Sequence, residues 1–287
     1  MSDPTPSSSP PLPPLLPLSV DDRKALRSTL ESRVAADVAD DGTETGDKDD
    51  GLCRIRGGAA AARAALAAID PVAYGASRNH LDGAVTRLSP YIRHGILSLN
   101  EVRNHALGVV AQPRQVEKFI QELAWRDYWQ RIYIAYPDRI WHDVEPYKTG
   151  FDASDYEPSL PEDIIAARTG VACIDQFIAT LYDTGYLHNH ARMYLASYVV
   201  HWRRVAWQAG AAWFLEHLLD ADPASNNLSW QWIASTFSKK PYIFNLDNVA
   251  KYTGHDVNTR MADNRVLAHS YERLGELLFP NLEPGHG

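Results

Sequence analysis

Asp220 and Asp222, spaced by one residue, stand just ahead of Pro223, Ser225, Asn226 and Asn227. A carboxylate pair in that setting can bind a metal, cap a turn or helix, or hydrogen-bond a polar ligand. Calcium is excluded, because a D-x-D calcium loop wants Gly at its sixth position and Glu at its twelfth, and Ser225 and Gln231 stand there. No metal is expected. Capping of a following turn through Ser225, Asn226 and Asn227 is the commonest use of such residues. The surroundings are less ordinary: Gly185–Trp232 holds five of the eight tryptophans, with Asn189 and Arg192 near its start. A second constellation, Glu122, Trp125, Trp129 and Ile132, has i, i+3, i+7, i+10 spacing and puts a carboxylate beside two indoles on one helix face. Its plainer reading is two core tryptophans and an i, i+4 pair between Glu122 and Arg126. In a third, Thr86, Arg87 and Ser89 gather hydroxyls and a cation ahead of a helix start, which suits an anion such as phosphate.

Helices must position these groups. AAAARAALAAI reads as helix ended by Asp70 and Pro71, with Ser89 an N-cap before Pro90, and Ser98 with Glu101 a capping box. A longer helix is predicted over Gln115–Tyr136, with Val116, Phe119, Ile120 and Leu123 on its apolar stripe and Pro137 as its stop. Residues 137–162 read as a long surface connection. Periodicity resumes over Ile164–Arg168 and over Val171, Ile174, Ile178 and Leu181, closed by Gly185, then through Met193, Ala196 and Val200. Trp213, Phe214, Leu218 and Leu219 predict a helix ending before Asp220, and Val266, Tyr271, Leu274, Leu277 and Leu278 a last one. Strand alternation is absent, so the fold expected is all-α, a multi-helix domain with long loops.

With 287 residues, 45% of them hydrophobic, the chain can bury a sizeable core. Two cysteines, Cys53 and Cys173, are too few for a disulfide framework, and no run is long and apolar enough to span a membrane. A cytoplasmic setting is expected. Of the formal charge of −8, residues 1–50 supply 11 acidic and 5 basic side chains, leaving 25 against 23 for the remainder. The N-terminal fifty residues are Pro/Ser-rich and then acidic, so a disordered tail is expected, with at most a short helix over Leu26–Val38. The folded domain is expected over 51–287, and its near-neutral charge permits a local basic patch.

TGYLHNHARMYLASYVV followed by WFLEHLLDADPASNNLSWQW, preceded by TRLSPYIRHGILS and FIQELAWRDYW, resembles the helical FAD-binding domain of the DNA photolyase and cryptochrome superfamily. The resemblance covers residues 57–245. It implies FAD as cofactor. Arg87 and Ser89 with Thr86 and Leu88 would hold the pyrophosphate, Tyr74 a phosphate, and Asn189, Arg192, Asp220 and Asp222 the rest of a folded flavin. Asn226 would face flavin N5. Glu122, Trp125, Met193 and Trp232 resemble the pocket for a cyclobutane pyrimidine dimer flipped out of DNA, its extrusion partly recovered by stacking at roughly 1–3 kcal/mol per base. Trp230 and Trp207 match two members of an electron relay to the flavin. Its third place has no tryptophan, and Tyr156 and Trp202 are the candidates.

The activity implied is blue-light-driven dimer repair by electron transfer from reduced flavin, with UV-damaged DNA as partner. The alternative is a cryptochrome-like FAD-binding photoreceptor without repair. A flavin-free relative that holds a cluster on four cysteines is disfavoured by the two present. The chain departs from the pattern at Val85 and His190, and IASTFSKKPYIFNLDN stands where relatives carry a longer DNA-facing loop, with Lys239 and Lys240 in place of an arginine. No antenna domain precedes the match, so light capture is expected to rest on FAD alone.

Overall fold

Alanine loses little side-chain freedom in a helix, and the alanine-rich run forms α1, Ala59–Ala67. The computed structural model describes residues 55–282; the tail expected over 1–50 and the short helix within it lie outside the described residues. Asp70 and Pro71 end α1 as expected, but they also begin a helix that the pattern did not reveal. The Asp70 carboxylate accepts from Val72 and Ala73 N–H at 3.1 and 2.8 Å, and Pro71 takes a first-turn place that has no use for its missing N–H. That helix, α2 (Pro71–Ser77), carries Tyr74.

Helix α3 (Ser89–Arg93) begins one residue earlier than expected: Leu88 is the N-cap, without a side-chain cap bond, and Ser89 is the first helical residue. Its hydroxyl is thereby free of capping duty. The capping box of Ser98 and Glu101 forms as expected and starts α4, Leu99–Gly108. The helix expected from Gln115 is divided into a 3-10 turn, Pro113–Val116, and α5, Glu117–Ala135. Pro137 follows and stops it.

A short α6 (Glu162–Ile165) leads to α7 (Ala172–Thr184), whose C-cap Gly185 has φ 61, a conformation that glycine adopts without a Cβ penalty. Next come α8 (Asn189–Ser197), extended by a π turn over Tyr198–Trp202, then α9 (Trp207–His217) and α10 (Pro223–Ala234). The Asn226 and Asn227 region, expected as a turn, is the first part of α10. Helix α11 (Leu246–Thr253) went unpredicted, being short and started only by the cap that Asn245 offers Asn248 N–H. The last helix, α12, is confined to Tyr271–Leu278. Among the described residues there is no strand, only an isolated parallel bridge between Glu157 and Val205, and no helix long and apolar enough to cross a membrane.

Two larger buried clusters anchor most of these helices, and a third, of Leu274, Leu278 and Phe279, seats α12. The largest contains Ile174, Ile178, Leu181, Tyr194, Leu195, Trp207, Phe214 and Trp230; the second gathers Ala62, Leu88, Val102, Ala106 and Phe119. Helices α9 and α10 pack closely at one glycine, since a Cβ on Gly210 would lie 2.2 Å from Cη2 of Trp230. Gly210→Ala is therefore expected to destabilise the domain by about 1–3 kcal/mol through overpacking. Thermal unfolding would register this as a midpoint lower by about 3–10 °C.

Candidate functional site

A cavity of about 680 Å³ opens among α2, the start of α3, α5, α8 and α10. Its size lies within the range of small-molecule sites. It is lined by Tyr74, Thr86, Arg87, Leu88, Ser89, Asn189, Arg192, Asp220, Asp222 and Asn226, and also by Glu122, Trp125, Met193, Trp230 and Trp232. The relay candidates Trp207, Tyr156 and Trp202 stand apart from its wall, Trp207 fully buried in the larger core.

Asp220 is 6% exposed, and Arg192 donates from Nη2 to its Oδ2 at 2.8 Å. Burial alone would raise the Asp220 carboxyl, but the Arg192 charge and hydrogen bond, helped by Ser89, hold it below the usual carboxylate range. Arg192 also donates from Nε to the Leu187 carbonyl at 2.8 Å, which fixes its plane. Asp220 Oδ1 is buried without a protein partner, as are Ser225 Oγ and Trp230 Nε1, all on residues of the cavity wall. Such atoms call for a ligand or water.

Asp222 fulfils the capping expectation and more. Its Oδ2 accepts Ser225 N–H at 2.9 Å as the N-cap of α10, while Oδ1 accepts from Gln130 Nε2 at 2.6 Å. Asn226 donates through Nδ2 to the Ala211 carbonyl at 3.0 Å and to Asn227 Oδ1 at 2.9 Å. Its own carbonyl oxygen remains for the cavity. Asn189 opens α8, its Nδ2 3.4 Å from Met193 Sδ. Arg87 holds φ 52, an uncommon backbone conformation for a residue with a Cβ, just before α3.

Glu122 does not pair with Arg126 as expected. Its Oε1 lies 2.8 Å from Lys118 Nζ, one turn earlier, and 3.3 Å from Arg78 Nη2, whereas Arg126 turns to Asp222 at 3.9 Å. The physical reason is competition: α10 brings Asp222 within reach of Arg126, and α2 brings a second cation to Glu122. Burial, with the Glu122 charge, pushes the Tyr74 hydroxyl up to about 12. Trp125 is not core. It is 50% exposed and stacks on Trp129 at 5.3 Å and 26°, while Trp232, 43% exposed, also lines the opening.

Sequence reasoning missed Arg78, Lys118 and His188, all on the cavity wall, and named Ser225 only as part of a capped turn. The i, i+4 spacing of Lys118 and Glu122 was a usable signal; Arg78 and His188 offered none. His188 Nδ1 accepts His190 N–H at 3.0 Å, so its proton sits on Nε2, which meets the Arg78 carbonyl at 3.0 Å. Burial and His190 lower it to about 4. Five lining cations (Arg78, Arg87, Lys118, Arg126, Arg192) face three lining carboxylates (Glu122, Asp220, Asp222), so the cavity attracts anions in a chain of formal charge −8.

The family described as the FAD binding domain of DNA photolyase matches residues 119–260. The chain is 34% identical over 158 residues to the deoxyribodipyrimidine photo-lyase of Streptomyces griseus, covering 53% of this chain and 32% of that protein. It is 32% identical over 155 residues to that of Alkalihalophilus pseudofirmus, covering 52% and 31%. The chain thus spans about a third of the length of these curated relatives. Among solved structures, an archaeal photolyase from Sulfolobus tokodaii with two FAD molecules superposes with a TM-score of 0.59 at 26% identity, covering 80% of this chain and 52% of that one. A cryptochrome from Synechocystis gives 0.60 at 21%, covering 82% and 51%, a likeness of fold.

Asp220→Asn leaves Arg192 without its counter-charge and is expected to cost about 2–4 kcal/mol. The native carboxyl is depressed, so its contribution is complete above about pH 4 and lost as pH falls below it. The variant lacks that acid loss, and a pH series of unfolding midpoints would show its curve flatter there. His188, His190 and His201 are all lowered to about 4. Unfolded histidines take up protons that these refuse, so wild-type stability is expected to decline as pH falls from about 6.5.

Proposed function

We propose that this chain, which belongs to the DNA photolyase and cryptochrome superfamily through its helical FAD-binding domain, repairs cyclobutane pyrimidine dimers in DNA with blue light. FAD is the cofactor of the domain. The cavity suits it: a positive balance for a pyrophosphate, and polar atoms without protein partners on three wall residues. In this reading Thr86, Arg87, Leu88 and Ser89 hold the pyrophosphate. Tyr74, its hydroxyl kept protonated by burial, donates to a phosphate oxygen. Arg192, fixed by Asp220 and Leu187, would hold the flavin together with Asn189 and Asp222, and the side-chain carbonyl oxygen of Asn226 would serve its N5.

When bound, reduced FAD supplies a light-driven one-electron donor. The protein brings the lesion to it. Trp125 and Trp232 sandwich the flipped-out dimer beside Met193, and Glu122 accepts hydrogen bonds from its bases, its carboxylate steadied by Lys118 and Arg78. The observation that carries this reading is the convergence of these four residues on the cavity that also gathers the phosphate-side segment. Trp230 and Trp207 relay electrons that restore the reduced cofactor. For the third place Tyr156 is favoured over Trp202: it stacks on Tyr147 at 4.1 Å and 20°, and Tyr147 meets the Trp207 backbone. Trp202 instead packs on Phe244 and donates to the Val266 carbonyl at 3.1 Å. We read 51–287 as one domain acting in the cytoplasm.

A second reading is an FAD-binding photoreceptor without repair. One observation favours it: two cations already converge on Glu122 Oε1 and would compete with the bases. Trp125→Ala is the deciding experiment. Under the repair reading it retains its flavin spectrum but loses binding of dimer-containing DNA by about ten- to a hundredfold, the worth of one stacking partner, and repair falls with it. Unaltered repair in this variant would sink the reading, and wild-type protein that photoreduces its flavin without consuming dimers would favour the photoreceptor.

A further inference from the structure

Trp207 is fully buried, yet its indole N–H meets no carbonyl or neutral side chain. Nε1 donates to Oδ1 of Asp143 at 2.6 Å, shorter than an ordinary N–H···O hydrogen bond. Gln208 Nε2 donates to the same oxygen at 3.1 Å, so the carboxylate is held from two sides. Asp143 lies in the connection between α5 and α6 and is half-buried. Trp202 satisfies its own indole N–H with a backbone carbonyl, that of Val266, at 3.1 Å, whereas a carboxylate makes the stronger bond even to a neutral indole. An oxidised indole gains a great deal.

We infer that Asp143 makes Trp207 an effective electron donor, by stabilising its cation radical and taking its Nε1 proton. The inference rests on the relay role of Trp207 given above. With FAD bound, its light-excited oxidised form would be the oxidant, and Trp207 would give up one electron by way of Trp230. The N–H bond then breaks with its electron pair kept by nitrogen, and the proton passes to Asp143 Oδ1. Cation radical and carboxylate become neutral indolyl radical and carboxylic acid, a pair with no net charge before or after. The return of the electron to Trp207 is slowed, because the returning electron must wait for its proton. When a thiol reductant restores Trp207, the proton goes back from Asp143 to Nε1. Tyr147, beside both Trp207 and Asp143, is pushed far above the usual phenol range first by burial and then by the Asp143 charge. It keeps its own proton, so the carboxylate is the acceptor at this step.

The test is transient absorption of the FAD-loaded protein after a blue flash, in H2O and in D2O, on wild type, Asp143→Asn and Trp207→Phe. Flavin occupancy and unfolding midpoints are recorded alongside, the midpoints also on the flavin-free proteins. Asparagine keeps an oxygen for the hydrogen bond but cannot hold the proton. Wild type is expected to form the neutral indolyl radical with a solvent isotope effect. Asp143→Asn is expected to show the cationic radical instead, without that effect, and a photoreduction yield lower by about tenfold. A neutral radical with the same isotope effect in Asp143→Asn would overturn the inference, as would a wild-type radical that stays cationic, a measurement that needs no variant to fold. Full photoreduction in Trp207→Phe would instead bring down the relay reading itself.

Discussion

The ion pair between Arg192 and Asp220 is the constraint on which the site depends. It joins the first half of α8 to the segment linking α9 and α10, and it is too deeply placed for either partner to lose the other cheaply. Holding Arg192 through Asp220 and through the Leu187 carbonyl fixes one wall of the cavity. Asp222, two residues on, caps α10 and so sets the direction in which Asn226, Trp230 and Trp232 leave the helix. Loss of the pair would therefore be felt on the cavity walls that α8 and α10 supply together.

A second consequence concerns charge. The cavity places more cations than carboxylates on its wall, although the chain is acidic as a whole. Glu122 is neutralised twice, by Lys118 and Arg78, and Asp222 is shared by Gln130 and Arg126. Each carboxylate thus keeps a fixed geometry without spoiling the field that an anionic cofactor requires. The buried histidines fit the same economy: desolvation keeps His188 neutral, so it serves as a cap for α8 rather than as another charge.

Close packing carries the site outward into the core. Gly210 lets the Trp230 ring lie against α9, and Phe214 meets that ring edge-on at 5.0 Å. Beyond it, Trp207 is tied by its own N–H to Asp143 and by its backbone to Tyr147, whose ring stacks on Tyr156. Three aromatic residues and one carboxylate are in this way tied together from the protein interior towards the 137–162 connection, which the sequence suggested only as a surface loop.

The all-α class, the capping box at Ser98, the Gly185 C-cap and the helices carrying Phe119 and Ile174 were legible from the sequence, because periodicity and capping are local. The resemblance carried by TRLS, QELAWRD, HARM and DADPASNN pointed to residues that do line one cavity, while Arg78, Lys118 and His188 on the same wall lay outside it. Two short helices, α2 and α11, were not legible, since each is started by one polar cap and stabilised by packing that no window of sequence displays. Side-chain partnership was not legible either. Whether Glu122 meets Arg126 or Arg78, or Trp207 meets Asp143, depends on which helices lie side by side, and pairs some 40 to 90 residues apart compete with the i, i+4 neighbour on nearly equal terms. Sequence by itself determined the all-α class, the local caps and, through the resemblance, the family and its FAD; the tertiary structure decided which charges face each other across the cavity, because only packing sets distances between segments remote along the chain.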